Sequence, residues 1–164
     1  YGEKDLNRGI ERVEALAELF NKTELHHSPS DVIIHEIWNK FRLNIANNQI
    51  QAIIGCGVGG YRDSEHLGFL RRKVREELEE IAKAKGIDFS LCKSTPAGSK
   101  VADRARYSTL QDIDAGRHTE IDMFAGTVVR MGKELNIPTP YNEFIFHVIK
   151  ALEEKNDGKF DYDS

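Results

Sequence analysis

No apolar run in this 164-residue sequence approaches the roughly 20 residues of a membrane-crossing helix, so no transmembrane helix is expected. Only two cysteines are present, Cys56 and Cys92, far apart and without Cys-x-x-Cys or Cys-x-x-His spacing. That excludes a disulfide framework and a cysteine zinc site, and predicts two reduced thiols in a cytoplasmic protein. An excess of one charge sign is also lacking. The formal net charge is −4, and the single basic knot, Arg71, Arg72, Lys73 and Arg75, is followed at once by acids from Glu76 to Glu80. Such a mixed stretch predicts a solvated helix face and no nucleic-acid partner. The first residues, Tyr-Gly-Glu-Lys-Asp, are polar, which predicts no signal peptide. A start at Tyr1 without Met predicts a fragment of a longer chain. The run Gly55 to Gly60 matches a dinucleotide fingerprint only in part. No β-α-β unit surrounds it and no acid follows a second strand, so it reads as a turn.

What the sequence does have is helical periodicity. Leu6, Ile10, Val13, Leu16 and Phe20 predict an amphipathic helix over residues 5–20, with a short strand over Thr23–His26. Ser28-Pro29-Ser30-Asp31 predicts a helix start, Ser28 capping and Pro29 in the first turn. That helix is expected to run from about 29 to 47, with Ile34, Trp38, Phe41 and Ile45 as its buried stripe. A separate apolar segment, Ile50 to Val58, follows. Helix 64–85 is the clearest: Leu67, Leu70, Val74, Leu78 and Ile81 share a face and Gly86 stops it. Pro96 to Ser99 predicts a loop, and residues 100–115 a further helix. Thr119-Glu120-Ile121-Asp122 reads as a capping box opening a helix that buries Ile121, Phe124, Val128, Met131 and Leu135, with Gly126 permitting close packing. Thr139 is expected to cap the last helix, with Pro140 in its first turn. Its expected stripe is Phe144, Ile145, Val148, Ile149 and Leu152. The pattern has no internal repeat, and by itself says only "helical domain".

Some polar groups look out of place. Lys40, Asn44 and Asn48 lie one turn apart, with Asn47 beside the last. Asparagine prefers caps and turns over helix interiors, and its amide both donates and accepts. The line is either a ligand-binding ridge or a solvated face with a helix end near Asn47-Asn48, and spacing alone favours the solvated face. Ser108, Gln111 and Asp112 form a second cluster, which also reads as exposed. A carboxylate at Glu120 is explained by a helix N-terminus alone, and His118 by a surface position.

Together these segments resemble a known family. Trp38-x-Lys40-x-x-x-Asn44-x-x-x-Asn48 is similar to the motif opening the C-terminal domain of ketopantoate reductases (2-dehydropantoate 2-reductases). Ser108-Thr109-Leu110-Gln111-Asp112-Ile113-x-x-Gly116-Arg117-x-Thr119-Glu120-Ile121-Asp122 resembles its second signature; Gly126 and Ile137-Pro138-Thr139-Pro140-x-Asn142 resemble its third. The likeness runs along residues 1–155.

The resemblance implies an all-α domain of the 6-phosphogluconate-dehydrogenase C-terminal-like type over residues 29–164. It also implies a short αβ remnant of a Rossmann nucleotide-binding domain over residues 1–28. The implied reaction is NADPH-dependent reduction of 2-dehydropantoate to pantoate, for pantothenate and coenzyme A synthesis. The implied partners are a small 2-oxo acid and the missing Rossmann half; a homodimer through the apolar helices is compatible with it. Lys40 takes the place of the family's general acid and Glu120 that of the carboxylate orienting the lysine or the substrate hydroxyl. Asn44, Asn48 and Ser108 take substrate-binding places, with Asn47 an alternative to Asn48. The glycine fingerprint is not in this chain, so no tightly bound cofactor and no turnover by the chain alone are expected; no metal is implied.

The chain departs from the family at Ala105, where some members have a substrate-binding Asn, and at Arg106 and Tyr107, where small polar residues are common. A related β-hydroxyacid-dehydrogenase-type enzyme for another 2-oxo acid is therefore a second reading. A non-catalytic helical interaction module is a third. The reductase reading requires Lys40, Asn44, Ser108 and Glu120 to converge on one cleft; the module reading requires them to scatter.

Overall fold

A computed structural model describes residues 1–5, 8–92 and 101–162. Its helices are α1 (Glu11–Phe20), α2 (Ile33–Ile54), α3 (Gly60–Asp63), α4 (Glu65–Ala84), α5 (Ser108–Asp114), α6 (Ala125–Leu135) and α7 (Pro140–Asn156), with a 3-10 turn at Phe89–Leu91. The expected loop at 96–99 lies outside the described residues, as does Leu6.

The C-terminal half of α2 is the axis of the domain. It packs against α4, α5 and α7, while α6 lies on α4 and α7. Ile45, Ile50, Val74, Leu78, Ile81, Leu110, Ile121, Val128 and Ile149 form the core, all 2% exposed or less. Over residues 45–52 every residue of α2 but Asn47 is buried, the polar ones included: Asn48, Gln49 and Gln51 are 6%, 0% and 0% exposed. This is why α2 continues past Asn47-Asn48, where a solvated helix end was expected, and absorbs most of the apolar segment from Ile50. It stops at Gly55, whose φ of 72° suits a residue without a Cβ.

Helix α4 follows the expectation closely. Ser64 accepts a bond from the Leu67 N–H as N-cap, and Gly86 takes a φ of 73° after the last turn. Gly126 lets α6 approach α7: a Cβ there would stand 3.1 Å from Phe146 Cε2.

Other expectations are corrected. No strand forms among the described residues, and no Rossmann remnant is seen. A strand needs a paired neighbour to satisfy its backbone. Around residues 23–30 the backbone hydrogen bonds to another extended segment, among the described residues, are those of Tyr1 with Ser28 and Ser30. Helix α1 forms over 11–20 but buries no residue, and Ile10 and Leu16 are exposed. Helix α2 starts at Ile33, because Ser30 Oγ turns to the Val32 N–H and Ser28 caps nothing. Helix α5 begins only at Ser108, since residues 103–107 run against α2 and α3. Thr119 Oγ1 accepts from the Ile121 N–H two residues on, making a turn instead of a capping box, and α6 starts at Ala125.

Thr139 makes no side-chain cap on α7. Glu77 of α4 does that across the interface, accepting from the N–H groups of Tyr141 (2.8 Å) and Asn142 (3.0 Å) and from Asn142 Nδ2 (2.7 Å). The buried face of α7 is Asn142, Ile145, Ile149 and Glu153, with Phe144 turned outward.

Candidate active site

Three segments meet at a cleft of about 510 Å³. Helix α2 contributes Lys40, Leu43, Asn44, Asn47 and Asn48; the start of α5 contributes Tyr107 and Ser108; the turn before α6 contributes Glu120 and Phe124. All five residues singled out from the sequence, Lys40, Asn44, Asn48, Ser108 and Glu120, therefore line one cavity. Lys40, Asn44 and Asn48 do so because they are successive turns of one helix. The side chains of Lys40, Asn44 and Glu120 make no hydrogen bond or ion pair among the described residues, while Asn48 Nδ2 lies 3.5 Å from Ser108 Oγ. The lining thus offers an ammonium, a carboxylate, amides and a hydroxyl to whatever enters.

The second polar cluster separates. Gln111 donates to the Arg106 carbonyl (2.6 Å) and Asp112 pairs with Arg117 (2.6 Å), and neither lines the cleft.

A family comparison bears directly on this arrangement. The description "Ketopantoate reductase PanE/ApbA C terminal" matches residues 32–153, most of the chain and every cleft residue. The chain belongs to this family. A 2-dehydropantoate 2-reductase of Pyrococcus horikoshii is 32% identical over 150 residues, covering 90% of this chain and 50% of that protein. A PanE/ApbA family ketopantoate reductase from Ralstonia eutropha superposes with a TM-score of 0.76 at 28% identity, over 88% of this chain and 49% of that one. D-mandelate dehydrogenase, in a ternary structure with NADH and anilino(oxo)acetate, shares the fold at a TM-score of 0.79 and 22% identity, over 95% of this chain and 66% of that one. The chain thus spans about half the length of the curated relatives it matches.

Within the ketopantoate reductase C-terminal fold, buried groups hold the cleft walls in place. Gln51 donates through Nε2 to the Ala105 carbonyl (3.1 Å) and accepts at Oε1 from the Tyr107 N–H (2.6 Å), tying the strip before Ser108 to α2. Gln49 Oε1 accepts from the Ala125 N–H (3.0 Å) at the start of α6. Glu153 of α7, 2% exposed, accepts from both N–H and Oγ1 of Thr119 (2.7 Å each), and Lys150 joins Glu153 to Asp122 (3.0 Å each). Residues on both sides of Glu120 are therefore fastened to one turn of α7. None of Gln49, Gln51 and Glu153 was anticipated as supporting the site. The available signal was two glutamines inside the apolar continuation of α2, and a glutamate one turn beyond Ile149.

Burial pushes the Glu153 carboxyl up, but the Thr119 bonds and Lys150 outweigh it, and the net shift is downward. A carboxylate with a depressed folded value stabilises the fold above its ordinary range and loses that contribution as pH falls through the lowered value. The staple on the Glu120 turn is thus expected to loosen only in acid. Amide resonances of Thr119 and Glu120, followed by NMR from neutral to acid, are expected to stay fixed down to the ordinary carboxylate range and to move together below it. Movement nearer neutrality that persists in His118→Asn, which removes the imidazole beside Glu153 and Asp157, would contradict this.

The glycine run is a packing device. A Cβ on Gly57 would stand 2.3 Å from the Asp103 carbonyl oxygen. The N–H groups of Val58, Gly59 and Gly60 donate to the carbonyls of Ala105, Asp103 and Gly57. A phosphate cradle needs free N–H groups. These are engaged, so this run does not fit a dinucleotide. Among the described residues no helix is long and apolar enough to cross a membrane, and no cluster of His, Cys, Asp and Glu could hold a metal.

Proposed function

We propose that this chain is the substrate-binding and proton-donating half of an NADPH-dependent 2-dehydropantoate 2-reductase, which makes pantoate for pantothenate and coenzyme A synthesis. The observation that carries the proposal is the meeting of Lys40, Asn44, Asn48, Ser108 and Glu120 in one cleft, in a chain of this family. A non-catalytic module gives no reason for that convergence. The hydride donor, a reduced nicotinamide, belongs to the half of the relatives that this chain does not span, with the join over residues 1–28 and the helical domain over 29–164.

Reduction of a ketone places negative charge on its oxygen. Lys40 Nζ has three donors and no hydrogen-bond or ion-pair partner among the described residues, and gives that oxygen its proton. Asn44, Asn48 and Ser108 hold the carboxylate and hydroxyl of the 2-oxo acid through their amide and hydroxyl dipoles. Glu120 accepts from the substrate hydroxyl or orients the ammonium. The chain joined to a Rossmann half is expected to oxidise NADPH when given 2-dehydropantoate, and the chain alone is expected not to. Turnover by the chain alone would contradict the division of labour.

A second reading keeps the chemistry and changes the 2-oxo acid. It is favoured by Tyr107, a bulky ring in the cleft wall where the family resemblance leads one to expect a small polar residue, and by Ala105 in place of an asparagine. A panel of 2-oxo acids compared by kcat/KM separates the two readings.

A further inference from the structure

Beyond the cleft, and sharing Asn47 and Tyr107 with it, lies a smaller cavity of about 270 Å³. Its remaining lining is Val58, Gly59, Tyr61, Arg62, Arg71 and Asp103. The charges there are unevenly committed. Arg62 grips Asp103 through both terminal nitrogens (2.9 and 3.1 Å) and also pairs with Asp63. Arg71 has no carboxylate partner among the described residues. It is the exception in the basic knot, whose other members pair with acids: Arg72 and Lys73 with Glu76, Arg75 with Glu79. Among the described residues Arg71 Nε, like Arg75 Nε, is a buried donor with no hydrogen-bond partner. Leaving such a donor unmet is costly unless something else meets it.

The neighbours of Arg71 hold it at the cavity. Its guanidinium lies 5.2 Å from the centre of the Tyr61 ring. The Tyr61 hydroxyl donates to the Asn47 carbonyl (2.6 Å), and burial pushes its phenol well above the ordinary value, so it stays a neutral donor. Asn47 sits between the two cavities, and the Tyr107 hydroxyl has no partner among the described residues. Arg62 is balanced by Asp103 and Asp63, which leaves Arg71 as the lining's one cation without a carboxylate among the described residues.

We infer that this second cavity is a distal anion subsite, in which Arg71 receives a second carboxylate of the substrate, so that the chain selects a 2-oxo dicarboxylic acid over a 2-oxo monocarboxylic acid. The inference rests on the second reading above, in which the adjoining cleft keeps the 2-oxo acid chemistry and takes a different acid, since 2-dehydropantoate carries a single carboxylate; it names the class of that acid. A guanidinium fork matches a carboxylate two-point, and charge-assisted bonds of this kind are among the strong ones.

The test is titration of the 164-residue chain, by NMR, with 2-oxo monocarboxylic acids and 2-oxo dicarboxylic acids of graded length. At one chain length the diacid is expected to bind at least ~10-fold more tightly than the monoacid. The Arg71 Nε–H resonance is expected to shift with the diacid and not with the monoacid. Arg71→Gln, checked for folding by circular dichroism, is expected to abolish the preference and leave monoacid affinity unchanged. Monoacid binding with no gain for any diacid, or a gain that survives R71Q, overturns the subsite and leaves the 2-oxo acid reading standing. Absence of binding by either class overturns both.

Discussion

Lys40→Ala, in the chain joined to its nucleotide-binding half, is expected to lower kcat by ~10²–10⁴-fold, the usual range for loss of a general acid. KM is expected to move much less, because the amides and hydroxyl that hold the substrate stay in place. Neither the fold nor the thermal midpoint is expected to change, since Lys40 is exposed and makes no hydrogen bond or ion pair among the described residues. A fall in KM-dependent binding with kcat preserved would make Lys40 a substrate anchor and return the proton to another group, Glu120 being the nearest in kind. A decisive comparison is Glu120→Gln, which keeps the shape of the turn and removes its charge.

The largest effect on stability is expected at Glu77, far from the chemistry. Glu77 is 8% exposed, and its carboxylate caps the N-terminus of α7 from α4. Glu77→Ala leaves the Tyr141 and Asn142 N–H groups and the Asn142 amide without that acceptor, although Asn142 Nδ2 keeps the Val74 carbonyl at 3.0 Å. Loss of a cap costs about 1 kcal/mol, and each buried donor left unmet adds about 1–3 kcal/mol. A total near ~3 kcal/mol corresponds to a thermal midpoint lower by about 6–12 °C for a chain of this size. Differential scanning calorimetry measures it. A change below about 2 °C would mean that water or Thr139 takes over the cap. Because α7 also carries Glu153 and Lys150, the same substitution is expected to loosen the Glu120 turn.

The division between what could and could not be read in the sequence follows the physics of each segment. Helix α4 was legible because it is a surface helix, with one apolar stripe, its own serine cap and a glycine stop. Helix α2 was misjudged at its far end because periodicity assumes one wet face, and this helix has none there. The cap of α7 was assigned to Thr139 because capping rules look within a few residues, whereas Glu77 is 64 residues away from Tyr141 in the chain. The strand at 23–26 failed because a strand is a property of a pair. The five cleft residues were named through family motifs; spacing alone had favoured a solvated face for three of them. Arg71 was hidden in a basic knot that read as uniform. Only the positions of its neighbours' carboxylates distinguish it.

The Gln51 contact has a consequence for how such a cleft can change. Gln51 holds the carbonyl of residue 105 and the N–H of residue 107, which are main-chain atoms common to every substitution there except proline at 107. The wall of the cleft is thus fastened to α2 by its backbone, and the side chains of Ala105 and Tyr107 are left out of the fastening, while Arg106 pairs with Asp114 of α5. Ala105 and Tyr107 are expected to be exchangeable while Ser108 keeps its place beside Asn48. Such an anchor separates the part of the cavity that chooses a substrate from the part that reacts with it, so that related proteins can diverge in what they accept through single replacements at 105 or 107 without rebuilding the helix that carries Lys40.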